Sequence, residues 1–401
     1  MNIPQGYKQT ELGIIPEDWE YSPSQKYLKE ISMGPFGSDI KVENFVGFGI
    51  PVLNGANLQS YRLIDRFENY VTSQKAAALK KAVANKGDII ITHRGTLGQV
   101  TYIPKSAKFD RYVISQSQFR VRFNECIDSE FIVRYLLSPI GQECLLEFKG
   151  HTGVPALAQP TTNFRNLPLL IPPIAEQRAI AEALSDEDGL IAALDKKIAN
   201  KRLLKQGAMQ QLLTGRKRLP GFTDEWKYVA LEHLLEYEQP TKYLVQSTDY
   251  IESGTPVLTA GKTFILGYTA ETKGIYTNLP VIIFDDFTTD SKYVTMPFKA
   301  KSSAMKMLQL KDRRYNLRLV YELMQLIQFP LYDHQRYWIS EYSKLQVYIP
   351  SDFKEQQAIA TILSDMDKEI ADLEAQRDKY RLLKSGMMQK LLTGQIRLKR
   401  E

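Results

Sequence analysis

The sequence is poor in the residues on which crosslinked and membrane-spanning proteins depend. Its 401 residues include only two cysteines, Cys126 and Cys144, which cannot build a disulfide framework and suit a reducing compartment. The longest apolar stretch, 167–175, is broken by three prolines and is too short to cross a bilayer. The first residues lack a basic segment followed by an apolar one, so no secretion signal is expected. We therefore expect a cytoplasmic protein without a membrane partner.

Sequence motifs for catalysis are absent as well. The histidines are scattered, and neither they nor the cysteines fall at metal-ligand spacing. The sequence has no GxxxxGKS/T phosphate loop, no GxGxxG motif after a strand and no Asn/Asp-Pro-Pro-Tyr/Phe motif of an amino-methyltransferase. We therefore expect that the chain binds no metal or cofactor and is not itself an enzyme.

The segment Gly34-Pro35-Phe36-Gly37 leaves two interpretations open. Its glycines superficially resemble a phosphate cradle, but Pro35 removes an amide donor and no helix obviously follows, which makes nucleotide binding an unfavoured interpretation. One remaining interpretation is a simple tight turn. The other is a turn whose backbone approaches a polyanion and brings Ser38 and Lys41 to it.

The composition is that of a folded protein that could bind a polyanion. Hydrophobic residues make up 43%, charged residues 24% and aromatic residues 10%, and the net charge is +6. The positive excess is uneven: residues 22–165 hold about 18 Lys and Arg against about 12 Asp and Glu, whereas residues 229–345 hold about 13 of each. The length predicts two or three domains.

An internal duplication organises the chain. Residues 176–219 and 355–398 match at a constant offset of 179, and 25 of the 44 positions are identical. Fainter echoes relate Trp19 to Trp226 and the run Pro-Val-Leu at 51–53 to the same run at 256–258. The order is thus variable segment, near-identical segment, variable segment, near-identical segment.

The near-identical segments are predicted to be long helices that pair. Apolar positions recur at alternating spacings of four and three residues, the a/d seam of a coiled coil. The predicted seam positions are Ile180, Leu184, Glu187, Ile191, Leu194, Ile198, Lys201, Leu204, Ala208 and Leu212 in the first copy, and Ile359, Leu363, Met366, Ile370, Leu373, Arg377, Tyr380, Leu383, Met387 and Leu391 in the second. Gly215 and Gly394 are predicted stops, and a helix of about 40 residues is roughly 60 Å long. The alternative, in which each helix packs only on its own domain, stays open.

The variable segments are predicted to be mixed α/β domains, with Gly and Pro separating short strands. Predicted strands are Gly49–Leu53, Asp88–His93, Gln99–Ile103 and Gln118–Phe123 in the first segment, and Pro256–Thr259, Val281–Phe284, Tyr293–Met296 and Leu308–Leu310 in the second. Predicted helices are Ser129–Leu137 and Arg318–Ile327.

Candidate nucleic-acid contacts cluster near predicted strand ends and in a basic stretch at 299–318. Arg pairs bidentately with guanine and Asn or Gln with adenine, and loop residues held by a rigid strand are where recognition groups usually lie. For 299–318, a solvated basic face is an equally good interpretation. Asp285 and Asp286 could accept from a cytosine amine, but a role in capping a turn is at least as good an interpretation. The candidate DNA-binding residues are Ser38, Lys41, Asn54, Asn57, His93, Arg94, Thr96, Gln116, Lys262, Lys299, Lys301, Ser303, Arg313 and Arg314.

These features resemble the specificity (S) subunit of a type I restriction–modification enzyme over essentially the whole chain. The resemblance rests on the duplicated helices and on short motifs at 7–13, 16–19, 34–38, 172–177, 212–215, 298–305 and 391–394. One departure is the start of the second helix, 349–354, which lacks the second proline of 172–173 and is one residue longer. That departure concerns only the local geometry at the start of the helix.

The resemblance implies an α+β protein in which two target recognition domains are separated by two long antiparallel helices, with an internal pseudo-two-fold repeat. The implied segments are recognition domain 1 at 1–170, spacer helix 1 at 171–219, recognition domain 2 at 220–348 and spacer helix 2 at 349–401. The implied partners are double-stranded DNA, two modification (M) subunits that use S-adenosylmethionine, and restriction (R) subunits that use ATP and magnesium. Exposed faces of the helices, including Glu176, Gln177, Glu355 and Gln356, are candidate docking surfaces, although surface charge alone explains them about as well.

The duplication itself also favours a bipartite DNA site. Two related but non-identical domains can each meet one half-site of a duplex, and because their sequences differ the half-sites should differ. Lengthening the helical spacer is then expected to change the gap without changing either half-site. A non-DNA coiled-coil scaffold, an enzyme with an unrecognised motif and a specificity subunit of a type II system are the alternatives.

Overall fold

The computed structural model describes residues 3–147, 149–150, 155–261, 263–331 and 336–398. The chain divides into two compact units: unit 1 combines Met1–Ala193 with Gln376–Glu401, and unit 2 is Leu194–Ala375. Each unit therefore contains one variable segment together with part of both long helices. The sequence-based segmentation, in which each helix is a segment of its own, stays a prediction.

Unit 1 contains the first variable segment and begins the first long helix. Its strands are β1 Tyr7–Thr10, β2 Gly13–Pro16, β3 Glu20–Pro23, β4 Leu28–Met33, β5 Ile50–Pro51, β6 Tyr70–Val71, β7 Val83–Asn85, β8 Ile89–Thr92, β9 Val100–Tyr102, β10 Arg111–Val113, β11 Gln118–Phe123, β12 Lys149–Gly150, β13 Ala156–Leu157 and β14 Pro168–Ile171. Its helices are α1 Ser73–Ala78, α2 Ser129–Leu137, α3 Pro139–Leu146, α4 Pro160–Asn166 and the first part of α5 Ile174–Leu212.

The central sheet of unit 1 is antiparallel, with strand order β4-β11-β8-β9. Strand β8 is apolar at three successive positions because both faces of the sheet are covered. Ile89 and Ile91 pack into one core with α2 and the start of α5, whereas Ile90 packs into a second core with Val52, Tyr112 and their neighbours.

Unit 2 contains the second variable segment. Its strands are β15 Trp226–Ala230, β16 Leu235–Glu238, β17 Thr255–Leu258, β18 Ile265–Thr269, β19 Val281–Asp285, β20 Ser291–Val294, β21 Lys299–Ala300, β22 Met305–Leu310 and β23 Gln346–Pro350. Its helices are α6 Leu231–Leu234, α7 Leu317–Met324, α8 Tyr337–Ser340 and most of α9 Phe353–Leu391, together with the remainder of α5.

The central sheet of unit 2 repeats that of unit 1. It is antiparallel with order β16-β22-β19-β20, and β19 again sends alternate side chains into two cores: Ile282 and Phe284 into one, Val281 and Ile283 into the other. The duplication that is faint in the sequence of the variable segments is therefore plain in their topology.

The two long helices have 39 residues each and run antiparallel within each unit. In unit 1, Lys384 pairs with Asp188 and Arg397 pairs with Glu176, so positions that rise along α5 fall along the second copy. In unit 2, Lys205 pairs with Asp367 and Arg202 pairs with Glu374, in the same sense. Gly215 and Gly394 follow the two helices with φ of 67° and 73°, which confirms them as C-terminal stop positions.

Burial of the predicted seam is uneven. Ile180, Leu184 and Leu212 of α5 and Ile359, Leu363 and Leu391 of α9 are buried, and they join the domain cores as well as the helix pair. The prediction is wrong at Leu204 and Leu383, which are 60% and 50% exposed. Packing on the domain, the alternative considered from the sequence, thus describes the helix ends. In the middle of the helices the predicted seam is also buried, at Leu194, Ile198, Ile370 and Leu373.

Candidate nucleic-acid interface

In unit 1, one end of the central sheet gathers several predicted residues. His93 and Arg94 follow β8, and the turn Ser115–Gln116 precedes β11. Nε2 of His93 lies 3.1 Å from the backbone oxygen of Gln116, and the His93 backbone N–H donates to Ser117 O over 2.9 Å. We call the segments 34–38, 92–96 and 115–118 the recognition edge of unit 1.

The glycine turn after β4 packs directly against this edge. The backbone N–H of Gly34 donates to Gln118 O over 2.8 Å, and a Cβ on Gly34 would meet Ser115 O at 2.0 Å. A Cβ on Gly37 would lie 2.6 Å from Oε1 of Gln116, so only glycine permits this approach without a shift. The result places the exposed Ser38 beside the exposed Gln116, with the exposed Arg94 in the adjoining segment.

His93 is the one titratable group at this edge with a resolved change in pKa. Partial burial lowers the pKa of His93 below its ordinary value, because desolvation penalises the imidazolium, and the nearby Arg94 acts in the same direction. The hydrogen bond to Gln116 O opposes the change without cancelling it. His93 is therefore neutral at pH 7 and donates from Nε2 to Gln116 O.

The remaining candidates of unit 1 have different surroundings. Asn54 is half-buried and caps a short 3₁₀ turn through Ala56 N–H, whereas Lys41 and Thr96 are exposed. Asn57 is a correction to the predicted set: it is buried, and its Nδ2 donates to Ile64 O and Arg66 O over 3.0 and 2.7 Å. Since its polar atoms are used inside the fold, Asn57 holds a loop in place and offers no group to a ligand.

Unit 2 builds the corresponding sheet end with different side chains. Met305 N–H donates to Ser302 O over 3.2 Å, matching the bond of 3.1 Å from Gln118 N–H to Ser115 O, so the exposed Ser303 has the position that Gln116 has in unit 1. Asp286, in the place of His93, forms a buried ion pair of 2.9 Å with Lys306. Gln116 and Ser303, which were predicted from unrelated motifs, thus occupy equivalent positions in the two units.

The basic stretch 299–318 does not form one surface. Lys299 is a further correction to the predicted set, because it is buried against Glu271 over 2.7 Å and lowers the pKa of that carboxyl. Lys306 is buried against Asp286, and Arg318 pairs with Asp367 and with Glu322. Most of the cations in this stretch therefore serve the fold.

The structure also separates candidates that the sequence placed together. Ser303 precedes β22, whereas Arg313 and Arg314 follow it, and six strand residues amount to roughly 20 Å. Arg314 lies beside the start of α9, where its backbone oxygen accepts from Gln356 Nε2. Lys301 lies 5.9 Å from the ring of Tyr250, and Lys262 lies outside the described residues.

Glu176, Gln177, Glu355 and Gln356, considered as docking groups from the sequence, are all buried. That interpretation was wrong. Each glutamine ties its helix start to the domain: Gln177 accepts from Asp128 N–H, Gln356 accepts from Asn316 N–H, and both donate to a proline oxygen. The extra residue at the start of α9 is accommodated without loss of these bonds.

The exposed apolar residues of the long helices offer a better docking surface. Leu203 and Leu204 of α5 and Leu382 and Leu383 of α9 are between 50% and 76% exposed. They correspond under the 179-residue offset, and they follow a run of seven positions, 195–201 and 374–380, at which the two copies differ completely. We call them the twin leucine patches. Exposed positions that stay identical beside a divergent run indicate a surface used twice.

Within the part of the chain that the structure describes, neither a metal centre nor a membrane-spanning helix accompanies this interface. Across the described ranges there is no group of three or more His, Cys, Asp or Glu side chains that could hold a metal ion. Within the same ranges, no helix combines the length and the apolar character that crossing a membrane requires.

Comparison with known families gives a match over most of the chain. The sequence model described as "Type I restriction modification DNA specificity domain" matches twice, at residues 37–201 and 223–380. The two matches follow the internal duplication, each beginning in a variable segment and ending in a long helix.

The relatives and solved structures that this chain resembles also come from type I restriction–modification systems. The chain is 50% identical over 150 residues to the type I restriction enzyme EcoR124I/EcoR124II specificity subunit of Escherichia coli, a match covering 36% of this chain and 37% of that protein. It is 24% identical over 296 residues to the putative type I restriction enzyme MjaX specificity subunit of Methanocaldococcus jannaschii, covering 70% and 68%. The matches thus span about a third and about two thirds of these relatives.

The fold resembles that of a crystal structure of a type I restriction–modification system S subunit from M. genitalium. The TM-score is 0.64 with 14% sequence identity, and the match covers 98% of each chain. A second structure, from work on complex assembly of the type I system, matches with a TM-score of 0.53 and 12% identity over 95% of this chain and 99% of the other. Two mixed α/β domains with long spacer helices, the predicted fold class, are confirmed.

Proposed function

Because this chain belongs to the family of type I restriction–modification DNA specificity proteins, we propose that it is the sequence-specific DNA-binding subunit of such a complex. Unit 1 reads one half of a bipartite site and unit 2 reads the other. The chain supplies recognition and spacing, and its partners carry out the reactions on DNA.

One observation carries this proposal: the same sheet end occurs in both units with different side chains. The turn before β11 displays Gln116, and the matching turn before β22 displays Ser303. The counterpart of His93 is Asp286, which forms an ion pair, and the counterpart of Arg94 is Phe287, which is partly exposed. Identical scaffolds with different exposed groups suit two different half-sites, because base contacts specify sequence whereas the scaffold sets position.

The twin leucine patches support docking of one partner in two copies. An apolar surface kept exposed on a soluble helix favours a protein partner, and two equal patches favour two equal partners. We assign these partners as modification subunits, with restriction subunits joining the complex that they form. S-adenosylmethionine would be held by the modification subunits, and ATP and magnesium by the restriction subunits.

Methylation within a duplex requires that the target base leave the stack. The modification subunit would extrude an adenine, and this chain would hold the duplex so that the adenine of each half-site meets the subunit docked on it. Holding the duplex in this way requires no reacting group on this chain.

Mapping methylated adenines in DNA from cells that contain this chain and its modification partner tests the proposal. The expected result is one bipartite, asymmetric sequence, lost when either protein is removed. In vitro, DNA binding by the complex should weaken steeply with salt, since phosphate contacts release counterions. Methylation by the isolated chain, or methylation without sequence preference, would contradict the proposal.

A further inference from the structure

A loop in unit 1 and its counterpart in unit 2 align without a gap. Residues 34–53 match 239–258 at a constant offset of 205, as between Pro35 and Pro240, Phe45 and Tyr250, and Gly49 and Gly254. Both prolines are buried, and both loops leave the central sheet after its first strand. Strand pairing supports this offset over the second half of the loop, where 46–51 and 251–256 pair alike, so that half contains its own comparison within the chain.

The second half of the loop has the same architecture in both units. Tyr70 pairs with Pro51 and is also bridged by Val46, so residues 47–49 protrude as a short loop between two segments that both lie against β6. In unit 2, Tyr268 pairs with Pro256 and is also bridged by Ile251, so 252–254 protrude in the same way. We call these the paired bulges.

The last residue of each bulge is a glycine for the same reason. Gly49 and Gly254 have φ of 146° and 144°, and a Cβ on them would meet a backbone oxygen at 2.4 and 2.6 Å. Because the shape is set by these glycines and by strand pairing, the residue at the tip of the bulge is free to vary.

The displayed residues differ sharply in character. Phe36, Val42 and Phe48 of unit 1 are 80%, 83% and 87% exposed. Their counterparts Thr241, Ser247 and Ser253 are also exposed, but they are small and carry hydroxyl groups. Since Ser253 supports the same bulge as Phe48, the fold does not require an aromatic residue at that tip. A group of exposed large apolar residues on one surface segment indicates a contact.

The loop presents its apolar side chains in a fixed manner. Its start is bonded by Gly34 N–H to Gln118 O over 2.8 Å, and its second half by Val46 N–H to Tyr70 O over 2.9 Å. Phe36 and Asp39 bond reciprocally, with Phe36 N–H donating to Oδ2 of Asp39 over 3.1 Å. Phe36 adjoins Gly37, which touches Gln116, so it lies at the recognition edge of unit 1.

We propose that Phe36 and Phe48 are specificity-determining residues of unit 1, which place apolar rings against the bases of its half-site and open one base step there. The proposal rests on the proposed function. Aromatic and other apolar wedges that unstack base steps are an established mode of protein–DNA contact, and Phe also contacts the thymine methyl group. The half-site of unit 2, which meets Thr241 and Ser253 at these positions, stays stacked.

DNA suits these residues better than a protein partner does. A modification subunit that binds both copies should find the same surface twice, as at the twin leucine patches. The phenylalanines occur in one unit only, which is the pattern expected for a ligand whose two halves differ. The position of Phe36 beside Ser38 and Gln116 agrees with this assignment.

The test uses the complex with its modification subunit and a duplex that contains the mapped site. 2-Aminopurine, whose fluorescence rises on unstacking, replaces adenines in either half-site one at a time. The methylated adenine and the bases next to it are left out, because extrusion of that adenine also unstacks its neighbours. Phe36→Thr and Phe48→Ser introduce the residues that unit 2 carries, so the loop should still fold. The control variant is Glu236→Ala, at an exposed position of unit 2 outside the loop.

With the unchanged complex, one base step in the half-site of unit 1 should fluoresce and none in the other. The double variant should lose this signal and bind the site at least about tenfold more weakly, in line with the usual contribution of base stacking. Glu236→Ala should bind as the unchanged complex does. Assembly with the modification subunit, measured by co-purification, should be equal in all variants.

Three results would overturn the inference. Unchanged DNA affinity and unchanged fluorescence in the double variant would show that neither phenylalanine contacts DNA. Loss of co-purification with unchanged DNA affinity would make the loop a protein-binding surface. A signal in both half-sites would show that unstacking does not depend on these residues. Failure of the unchanged complex to prefer the mapped site over random DNA would instead overturn the proposed function.

Discussion

The indole Nε1 of Trp226 donates a hydrogen bond of 3.2 Å to Oε2 of Glu355, a carboxylate without exposed surface. Arg218 completes the group by donating from Nε and NH2 to the two carboxylate oxygens over 2.6 and 2.7 Å. Unit 1 repeats the arrangement with Trp19, Glu176 and Arg397. In each unit the start of one long helix is thus joined to the segment that follows the other helix and to a tryptophan of the domain, which lies just before β3 in unit 1 and in β15 in unit 2.

Replacing Glu355 with alanine is expected to destabilise unit 2. The change leaves the indole N–H without its partner and Arg218 without its counter-ion, and breaking a buried pair from one side costs about 3–5 kcal/mol. The measurement is urea unfolding followed by tryptophan fluorescence, since unit 2 holds Trp226 and Trp338.

The control for this change is Glu236→Ala, at an exposed position of the same unit. It should alter the free energy of unfolding by less than about 0.5 kcal/mol. Equal effects of the two substitutions would show that the Trp226–Glu355–Arg218 group contributes nothing specific.

The fold could be predicted where repetition or periodicity was strong. Gln118–Phe123 and Ser129–Leu137 are predicted and observed with the same bounds, and both long helices were expected. Short edge strands such as β5 and β6, with two residues each, were beyond reach, because their pairing is set by distant partners and not by local pattern. The exposed Leu204 and Leu383 show that a heptad pattern marks an apolar face without saying which partner covers it.

Changing one twin leucine patch should remove one modification subunit from the complex. Leu203→Ser with Leu204→Ser exposes no new core, because both side chains are already largely in solvent, so the two changes together should alter the stability of the chain by no more than about 1 kcal/mol. The ratio of modification to specificity subunits, measured by native mass spectrometry, is expected to fall from two to one. The same pair of changes at 382 and 383 should give the same ratio.

Changing both patches together should abolish co-purification of the modification subunit. The matched control is Gln206→Ser, an exposed polar position on the same stretch of α5 that already carries serine, Ser385, in the second copy. Full assembly of the fourfold leucine variant would contradict the assignment of these patches.

The candidate interface was only partly accessible from the sequence. Arg94, Ser38 and Gln116 were found because they adjoin strand ends and a glycine turn, and the structure brings them to one edge. Asn57 and Lys299 were included on residue type alone, yet tertiary contacts bury both. No local signal shows that a cation such as Lys306 will meet Asp286 across two strands, so a basic run in a sequence overstates the basic surface.

The stability of unit 1 should fall as the pH is lowered below the ordinary pKa of histidine. The pKa of His93 is lowered in the folded chain by desolvation, so the unfolded chain takes up this proton first. The contribution of neutral His93 is therefore complete above about pH 6.5 and is lost as the pH falls through the interval down to the folded pKa.

His93→Gln retains a donor for Gln116 O and should remove this dependence. Urea unfolding of both forms between about pH 7.5 and 5.5 measures it as the difference in slope. Parallel curves for the two forms would assign the pH dependence to other groups.

Arg94→Ala should relax the reading of one half-site and leave the other unchanged. The backbone of Arg94 is fixed by a bridge to Ala156 and by the bond from Gly95 N–H to Pro155 O over 2.9 Å, while its side chain is exposed at the recognition edge of unit 1. A fixed backbone and a free guanidinium suit bidentate contact with guanine, worth about 1–3 kcal/mol of discrimination at one base pair. Methylation mapping with the variant should therefore show a degenerate base at one position of the half-site read by unit 1. A uniform loss over all sequences, with a salt dependence reduced by about one phosphate contact, would instead place Arg94 on the backbone of the duplex.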